Sequence, residues 1–159
     1  LAVVSQSELI LQRSEWKRNG KRVIYATGVF DLLHPGHIRL LEQARALGDI
    51  LVVGVHSDLR ARRAKGPNRP VTPAAERAEI LAALAAVDFV LVLSDEDSCE
   101  FLAQLAPDAM VQDRDQGSSI GFETNSGTVR SAAIKVIYIP PEPGHSTSRL
   151  IERIQQFRA

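Results

Sequence analysis

Two short runs, 50–55 (Ile-Leu-Val-Val-Gly-Val) and 89–93 (Phe-Val-Leu-Val-Leu), carry no polar side chain. A strand with one wet face alternates apolar and polar residues, so these runs describe strands covered on both faces. Such strands belong to a parallel sheet, and parallel neighbours need a long crossover, usually a helix. The intervening sequence supplies those helices. Leu40, Leu41, Ala44 and Leu47 fall on one helical face, with Gly48 as the stop. Ile80, Leu81, Leu84 and Val87 fall on another, after the N-cap and first-turn pair Thr72-Pro73. Leu150, Ile151, Ile154 and Phe157 share a third, started by Ser146 or Thr147. Further β-branched runs at 23–27, 109–111 and 135–139 bring the strands to five, and 5–18 predicts an extra helix ended by Asn19-Gly20. The alternation predicts a doubly wound, Rossmann-like α/β/α sandwich with a mostly parallel five-stranded sheet. The polar, glycine-containing stretch 112–127 reads as a long loop beside a site.

At 159 residues the chain fits one domain, 1–159, with 1–20 as a helical N-terminal extension. Nineteen basic residues balance nineteen acidic ones, which argues against a general nucleic-acid binder. No apolar run approaches the roughly 18 residues of a membrane span, and no signal peptide is visible. Cys99 is the single cysteine, which excludes an internal disulfide framework and a cysteine-rich metal site. These features predict a reduced, cytoplasmic protein that meets neither nucleic acid nor membrane. The neutral total hides a segregation. Residues 59–75 hold five basic side chains (Arg60, Arg62, Arg63, Lys65, Arg69) and no acid, whereas 88–113 hold seven acids and no base. Two solvated surfaces would satisfy that pattern, and so would a phosphorylated ligand against the basic stretch.

In doubly wound sheets ligands bind outside the carboxyl ends of the strands. Directly after the first predicted strand stands Gly28-Val29-Phe30-Asp31, then His34-Pro35-Gly36-His37 leading into a helix. It is neither a dinucleotide fingerprint nor a P-loop, since the spaced glycines and the Gly-Lys-Ser/Thr ending are absent. Pro35 sets a first-turn φ, and Gly36 lets a ligand approach the backbone. Two imidazoles at a helix N-terminus suit a polyphosphate. A metal pair and a purely structural role are the other readings of a His-x-x-His spacing, although no further ligand lies at a suitable distance in the sequence. Among other conspicuous residues, Trp16 and Cys99 read as packing, His145 as a loop residue, and Arg60, Arg62 and Arg63 as a solvated helix face.

The full string resembles the nucleotidyltransferase superfamily, which carries an (H/T)-x-G-H motif. The likeness continues through Lys65-Gly66-Pro67-Asn68-Arg69-Pro70, Glu76-Arg77 and Gly144-His145-Ser146-Thr147-Ser148-Arg149. The resemblance implies transfer of a nucleotidyl group with release of pyrophosphate, and it implies roles for particular residues. His34, His37 and Lys65 would be catalytic. Gly28, Val29, Phe30, Asp31, Gly36, Asp115, Gly144, Ser146 and Thr147 would join the histidines in binding the nucleotide. Lys65 and Arg77 would bind the acceptor and its phosphate, and His56, which stands where such proteins often have Asn or Ser, would contact the acceptor's sugar. No protein ligand to a metal is implied, and Mg2+ would arrive with ATP. A homodimer is common among such proteins.

Within the superfamily, the stretch from Lys65 to Pro73, with Arg77 and Asp88, is similar to the heptose 1-phosphate adenylyltransferase branch. That branch implies ATP and D-glycero-D-manno-heptose 1-phosphate as substrates and ADP-heptose, a precursor of lipopolysaccharide or related glycans, as product. The cytidylyltransferase branch, acting on glycerol 3-phosphate, phosphocholine or phosphoethanolamine, usually has Thr where Val29 stands here, and an arginine before the final Ser-Thr turn. In this chain that lead-in is Pro140-Pro141-Glu142-Pro143-Gly144. One departure from the heptose branch concerns its Lys-Gly-Gly-Asp-Tyr segment. Here Gln112-Asp113-Arg114-Asp115-Gln116 retains only the acid. That change is the support for a third reading, a nucleotide-binding module without catalysis.

Overall fold

The computed structural model describes residues 2–94, 98–113 and 134–157. Its elements run β1 (Ala2–Val3), α1 (Gln6–Arg18), β2 (Val23–Gly28), α2 (Pro35–Arg45), β3 (Ile50–His56), α3 (Asp58–Lys65), α4 (Ala74–Ala82), β4 (Phe89–Leu93), α5 (Ser98–Leu105), β5 (Ala109–Asp113), β6 (Lys135–Ile139) and α6 (Thr147–Gln156). The described strands form one six-stranded sheet in the order β1-β4-β3-β2-β5-β6. Every pairing is parallel. From β2 the chain steps outward to β3 and β4, then crosses to β5 on the other side of β2. The switch in strand order therefore lies at β2, and its carboxyl end is where a cleft opens.

The count is six strands instead of the expected five. The additional one, β1, pairs Ala2 with Phe89 and Val3 with Val90, and Val4 N–H donates to Val90 O at 2.8 Å. Two residues are too few for periodicity to register. The N-terminal segment is thereby an edge of the sheet as well as a helix.

The sheet separates two apolar clusters. Ile24, Ala26, Leu51, Val53 and Val55 point to one face, against Leu41 and Ala44 of α2 and Ala78 and Leu81 of α4. Val23, Tyr25, Val52 and Leu91 point to the other, against Leu9 and Trp16 of α1 and Phe101, Leu102 and Leu105 of α5. The period of two within β2 and the lack of polar residues in β3 follow from that double cover. Trp16 packs on Phe89 with ring centroids 5.1 Å apart, so it is a core residue, as its sequence context indicates. The Cys99 side chain lies outside the described residues.

Three aspartates explain part of the charge pattern. Asp49, Asp88 and Asp108 each stand just before a strand, and each carboxylate accepts the N–H of Arg22, Leu51 or Val23 respectively, all at 2.8 Å. They satisfy donors at the amino edge of the sheet, opposite the cleft. Asp88 and Asp108, two members of the acidic stretch, also pair with Arg45 at 3.3 Å and Arg13 at 3.7 Å.

Three expected helix signals act differently. The α4 helix ends at Ala82, so Leu84 and Val87 of the expected helical face lie beyond it. Gly48 does not stop α2, which ends at Arg45. A Cβ there would lie 2.7 Å from Ile24 Cγ1 and 2.9 Å from Arg22 O, so Gly48 permits close approach to β2. Pro73, not Thr72, is the N-cap of α4, because the Thr72 main chain is engaged elsewhere.

Gly54 gives a direct test of packing. The Tyr25 hydroxyl, itself buried, fills the space that a Cβ at Gly54 would need. Gly54→Ala is expected to cost about 1–3 kcal/mol by overpacking. Adding Tyr25→Phe, which deletes the offending oxygen, should recover part of that loss in urea unfolding. No recovery in the double variant would place the strain elsewhere.

Candidate active site

The cleft has a volume of about 280 Å³ and is lined from four strand ends: Thr27 and Gly28 of β2 with Val29, Asp31, His34 and His37 after it, His56 at the end of β3, Gln112 in β5, and Pro141 and His145 to Ser148 after β6. Lys65 at the end of α3 and Arg69 beyond it complete the wall. Residue 115 lies outside the described residues, as does most of the 112–127 stretch; Gln112 and Asp113 belong to β5.

The β2–α2 turn is built against the usual backbone preferences. Phe30 and Leu32 hold positive φ values of 52° and 43°, a conformation that costs a non-glycine residue free energy and persists where the surroundings over-determine it. Here the Phe30 ring is buried, with its edge 3.1 Å from the site of a Cβ at Gly28. It meets the His37 ring at 5.4 Å and 64°. Asp31 is 4% exposed. Its carboxylate accepts from Val71 N at 3.0 Å, Thr72 N at 3.1 Å and Arg69 Nη1 at 3.0 Å. Asp31 therefore clamps the turn to the segment before α4. Its carbonyl oxygen accepts from Thr147 Oγ1 at 2.6 Å, which fastens the same turn to α6.

His34 is the N-cap of α2, with Pro35 in the first turn. Its ring folds back and stacks on His37, centroids 3.7 Å apart and planes at 21°. Gly36 makes that possible, because a Cβ there would stand 3.0 Å from the His34 ring. Burial is the main cause that lowers both pKa values, with a further push on His34 from His145 and on His37 from His34; His37 falls to about 3. Both rings are then neutral at pH 7, and a neutral imidazole has one N–H to donate and one nitrogen to accept. Nδ1 of each is buried with no protein partner.

His56 closes the floor. It is 2% exposed, and one ring nitrogen, Nε2, lies 3.0 Å from Thr27 Oγ1. Burial, with Arg60 and Arg77 nearby, pushes its pKa down to about 3. Two neutral buried imidazoles give the fold a pH dependence. The unfolded chain takes up their protons below about 6.5 while the folded chain does not, so stability is full above pH 6.5 and declines as pH falls toward 3. Between pH 6.5 and 5 the loss should be about 2 kcal/mol for each imidazole. Urea unfolding at these pH values checks it, and His56→Asn should flatten the slope by about half.

Arg77, expected at the acceptor phosphate, is enclosed by protein. Its side chain is 1% exposed. Nε donates to Thr72 O at 2.8 Å, Nη2 to His56 O at 2.9 Å and to Asp58 Oδ1 at 2.6 Å, and Nη1 to Val29 O. A guanidinium so enclosed holds the cleft's floor together. Lys65, by contrast, is exposed at the rim.

Across the cleft, Gly144 takes φ 83° and precedes the α6 cap. Ser146 caps α6, its hydroxyl accepting from Arg149 N at 3.2 Å. Two helix N-termini, of α2 and α6, thus face one cleft, and each brings free N–H groups and partial positive charge. Arg39 of α2 forms an ion pair with Glu142 in the β6–α6 loop, which joins the two walls. His145, read from sequence as a loop residue, lines the cleft. Arg69 and Ser148 also line it, although the sequence assigned neither an individual role. The signals for Arg69 are its place in the Lys65–Pro70 string and in the basic stretch 59–75.

Residues 25–153 match the cytidylyltransferase-like family. The chain belongs to the cytidylyltransferase-like family. Among curated relatives of this cytidylyltransferase-like chain, the Bifunctional protein HldE of Koribacter versatilis is 42% identical over 95% of the chain and 31% of the relative's length. The protein of that name from Syntrophotalea carbinolica is 44% identical over 87% of the chain and 28% of the relative. The chain therefore spans about a third of the length of these relatives. A lipopolysaccharide core biosynthesis protein from Thermoplasma volcanium superposes with a TM-score of 0.63 at 28% identity, covering 77% of this chain and 98% of that one. A pantoate-beta-alanine ligase from Francisella tularensis, 13% identical with a TM-score of 0.57 over 99% of this chain and 79% of its own, shares the fold. No helix among the described residues is long and apolar enough to cross a membrane.

Proposed function

We propose that residues 1–159 act as one adenylyltransferase domain that transfers AMP from ATP to D-glycero-D-manno-heptose 1-phosphate, giving ADP-heptose and pyrophosphate. The observation that carries this reading is the convergence of two helix N-termini and two neutral, stacked histidines on one cleft. In-line attack by an acceptor phosphate oxygen on the α-phosphorus needs no protein base, because that oxygen is already ionised. What it needs is alignment and donors for the charge that grows on the leaving pyrophosphate. His34 and His37 supply such donors without bringing a competing charge. Gly28, Val29, Phe30 and Gly36 let the phosphates lie close to the backbone, and Gly144, Ser146 and Thr147 present the first turn of α6. Lys65 supplies a mobile cation at the rim, and His56 turns a neutral ring toward the acceptor's side of the floor.

Among the described residues no group of three or more His, Cys, Asp or Glu side chains could cage a metal. Mg2+ would enter on the nucleotide's own oxygens and water. The choice of heptose rests on the likeness of Lys65 to Pro73 to that branch and on the HldE relatives. The enzyme would work in the cytoplasm as a homodimer. Pyrophosphate release with ATP and CTP, across heptose 1-phosphate, glycerol 3-phosphate, phosphocholine and phosphoethanolamine, tests the proposal. Turnover with CTP alone would establish the cytidylyltransferase reading in its place, and ATP binding without any release would establish a non-catalytic module.

A further inference from the structure

With Arg77 enclosed, the charge inventory of the cleft changes. Arg69 enters from the segment between α3 and α4, with 16% of its side chain exposed. Nη1 donates to Asp31 Oδ2 at 3.0 Å and Nη2 donates to Ser148 Oγ at 3.3 Å. A guanidinium has five N–H donors, and these contacts occupy two. Asp31 is itself pinned by the main-chain N–H groups of Val71 and Thr72, so it holds the guanidinium at a fixed angle. Ser148 is the second residue of α6, which places that guanidinium against the helix's first turn. There the Ser146 hydroxyl takes the N–H of Arg149, while the N–H groups of Thr147 and Ser148 have no intrahelical carbonyl within reach. A planar fork beside free main-chain donors matches a chain of phosphates.

We propose that Arg69 binds the β- and γ-phosphates of the nucleotide at the first turn of α6 and receives the leaving pyrophosphate. This rests on the nucleotidyl-transfer reading. When the acceptor oxygen forms its bond to the α-phosphorus, the bond from that phosphorus to the bridging oxygen breaks. Pyrophosphate leaves with the electron pair. Arg69 strengthens its hydrogen bonds to those oxygens and transfers no proton.

The test is calorimetric titration of the whole chain with inorganic pyrophosphate, ATP and heptose 1-phosphate, together with steady-state kinetics. Arg69→Ala should weaken pyrophosphate binding by about 30- to 100-fold and lower kcat comparably, with heptose 1-phosphate affinity within about threefold of wild type. Arg69→Lys keeps the charge but loses the fork, so a loss of about tenfold is expected. Added guanidinium ion at sub-denaturing concentration should restore part of the alanine variant's turnover, which a merely structural arginine would not allow. Should Arg69→Ala fail to fold, the Arg69→Lys titration decides alone. Pyrophosphate affinity within threefold of wild type in the folded variants overturns the proposal, as does a loss confined to heptose 1-phosphate. Wild-type protein that binds neither ATP nor pyrophosphate would instead overturn the nucleotidyl-transfer reading itself.

Discussion

His37→Ala is expected to lower kcat by about two to three orders of magnitude, the usual cost of removing one donor from a preorganised anion site. The fold should survive. His37 Nδ1 has no protein partner, so its removal leaves no buried group unsatisfied, and the ring's main neighbours are His34 and Phe30. Because the donor works most on charge that develops during transfer, the KM for ATP should move far less than kcat. His34→Ala should act in the same direction. A melting temperature near that of wild type alongside the kinetic loss would separate chemistry from stability. A kcat within threefold of wild type would remove His37 from the chemistry.

Arg77→Met is expected to produce the largest loss of stability of any single substitution discussed here. The variant strands the carbonyl oxygens of Val29, Thr72 and His56 and the carboxylate of Asp58, which now share one guanidinium. Breaking a buried charged network by deleting one partner costs about 3–5 kcal/mol. For a chain of this size that lowers the melting temperature by about 10 °C. Arg77→Lys should recover little, since an ammonium cannot reach four acceptors in one plane. If Arg77→Lys kept full stability and raised only the KM for the sugar phosphate, Arg77 would be a ligand after all.

Arg69 and Arg77 show how far the sequence could be read. Both are basic, both sit in the strings that resemble the superfamily, and both lie near the expected phosphate site. Only tertiary placement separates them. Arg77 lies in α4 beneath the floor, where main-chain carbonyls from three separate segments converge on it. Arg69 stays in the cleft because Asp31, 38 residues earlier, turns it toward α6. Asp31 illustrates the same limit. In the sequence it belongs to the motif beside the histidines, and in the fold its carboxylate is consumed by Val71, Thr72 and Arg69.

What the sequence determined by itself is the alternation of strands and helices, the parallel sheet, and the position of the histidine pair after β2. These depend on local quantities: side-chain period, apolar runs, and proline, serine and asparagine at the helix ends. β1 escaped because two residues carry no period, and the partnership of Asp49, Asp88 and Asp108 with the N–H groups of Arg22, Leu51 and Val23 escaped because it joins distant segments. The tertiary structure alone decided which polar groups are used up inside the protein and which remain free in the cleft. A buried donor or acceptor must be satisfied, and the atom that satisfies it is brought near by sheet pairing and helix packing across long stretches of chain.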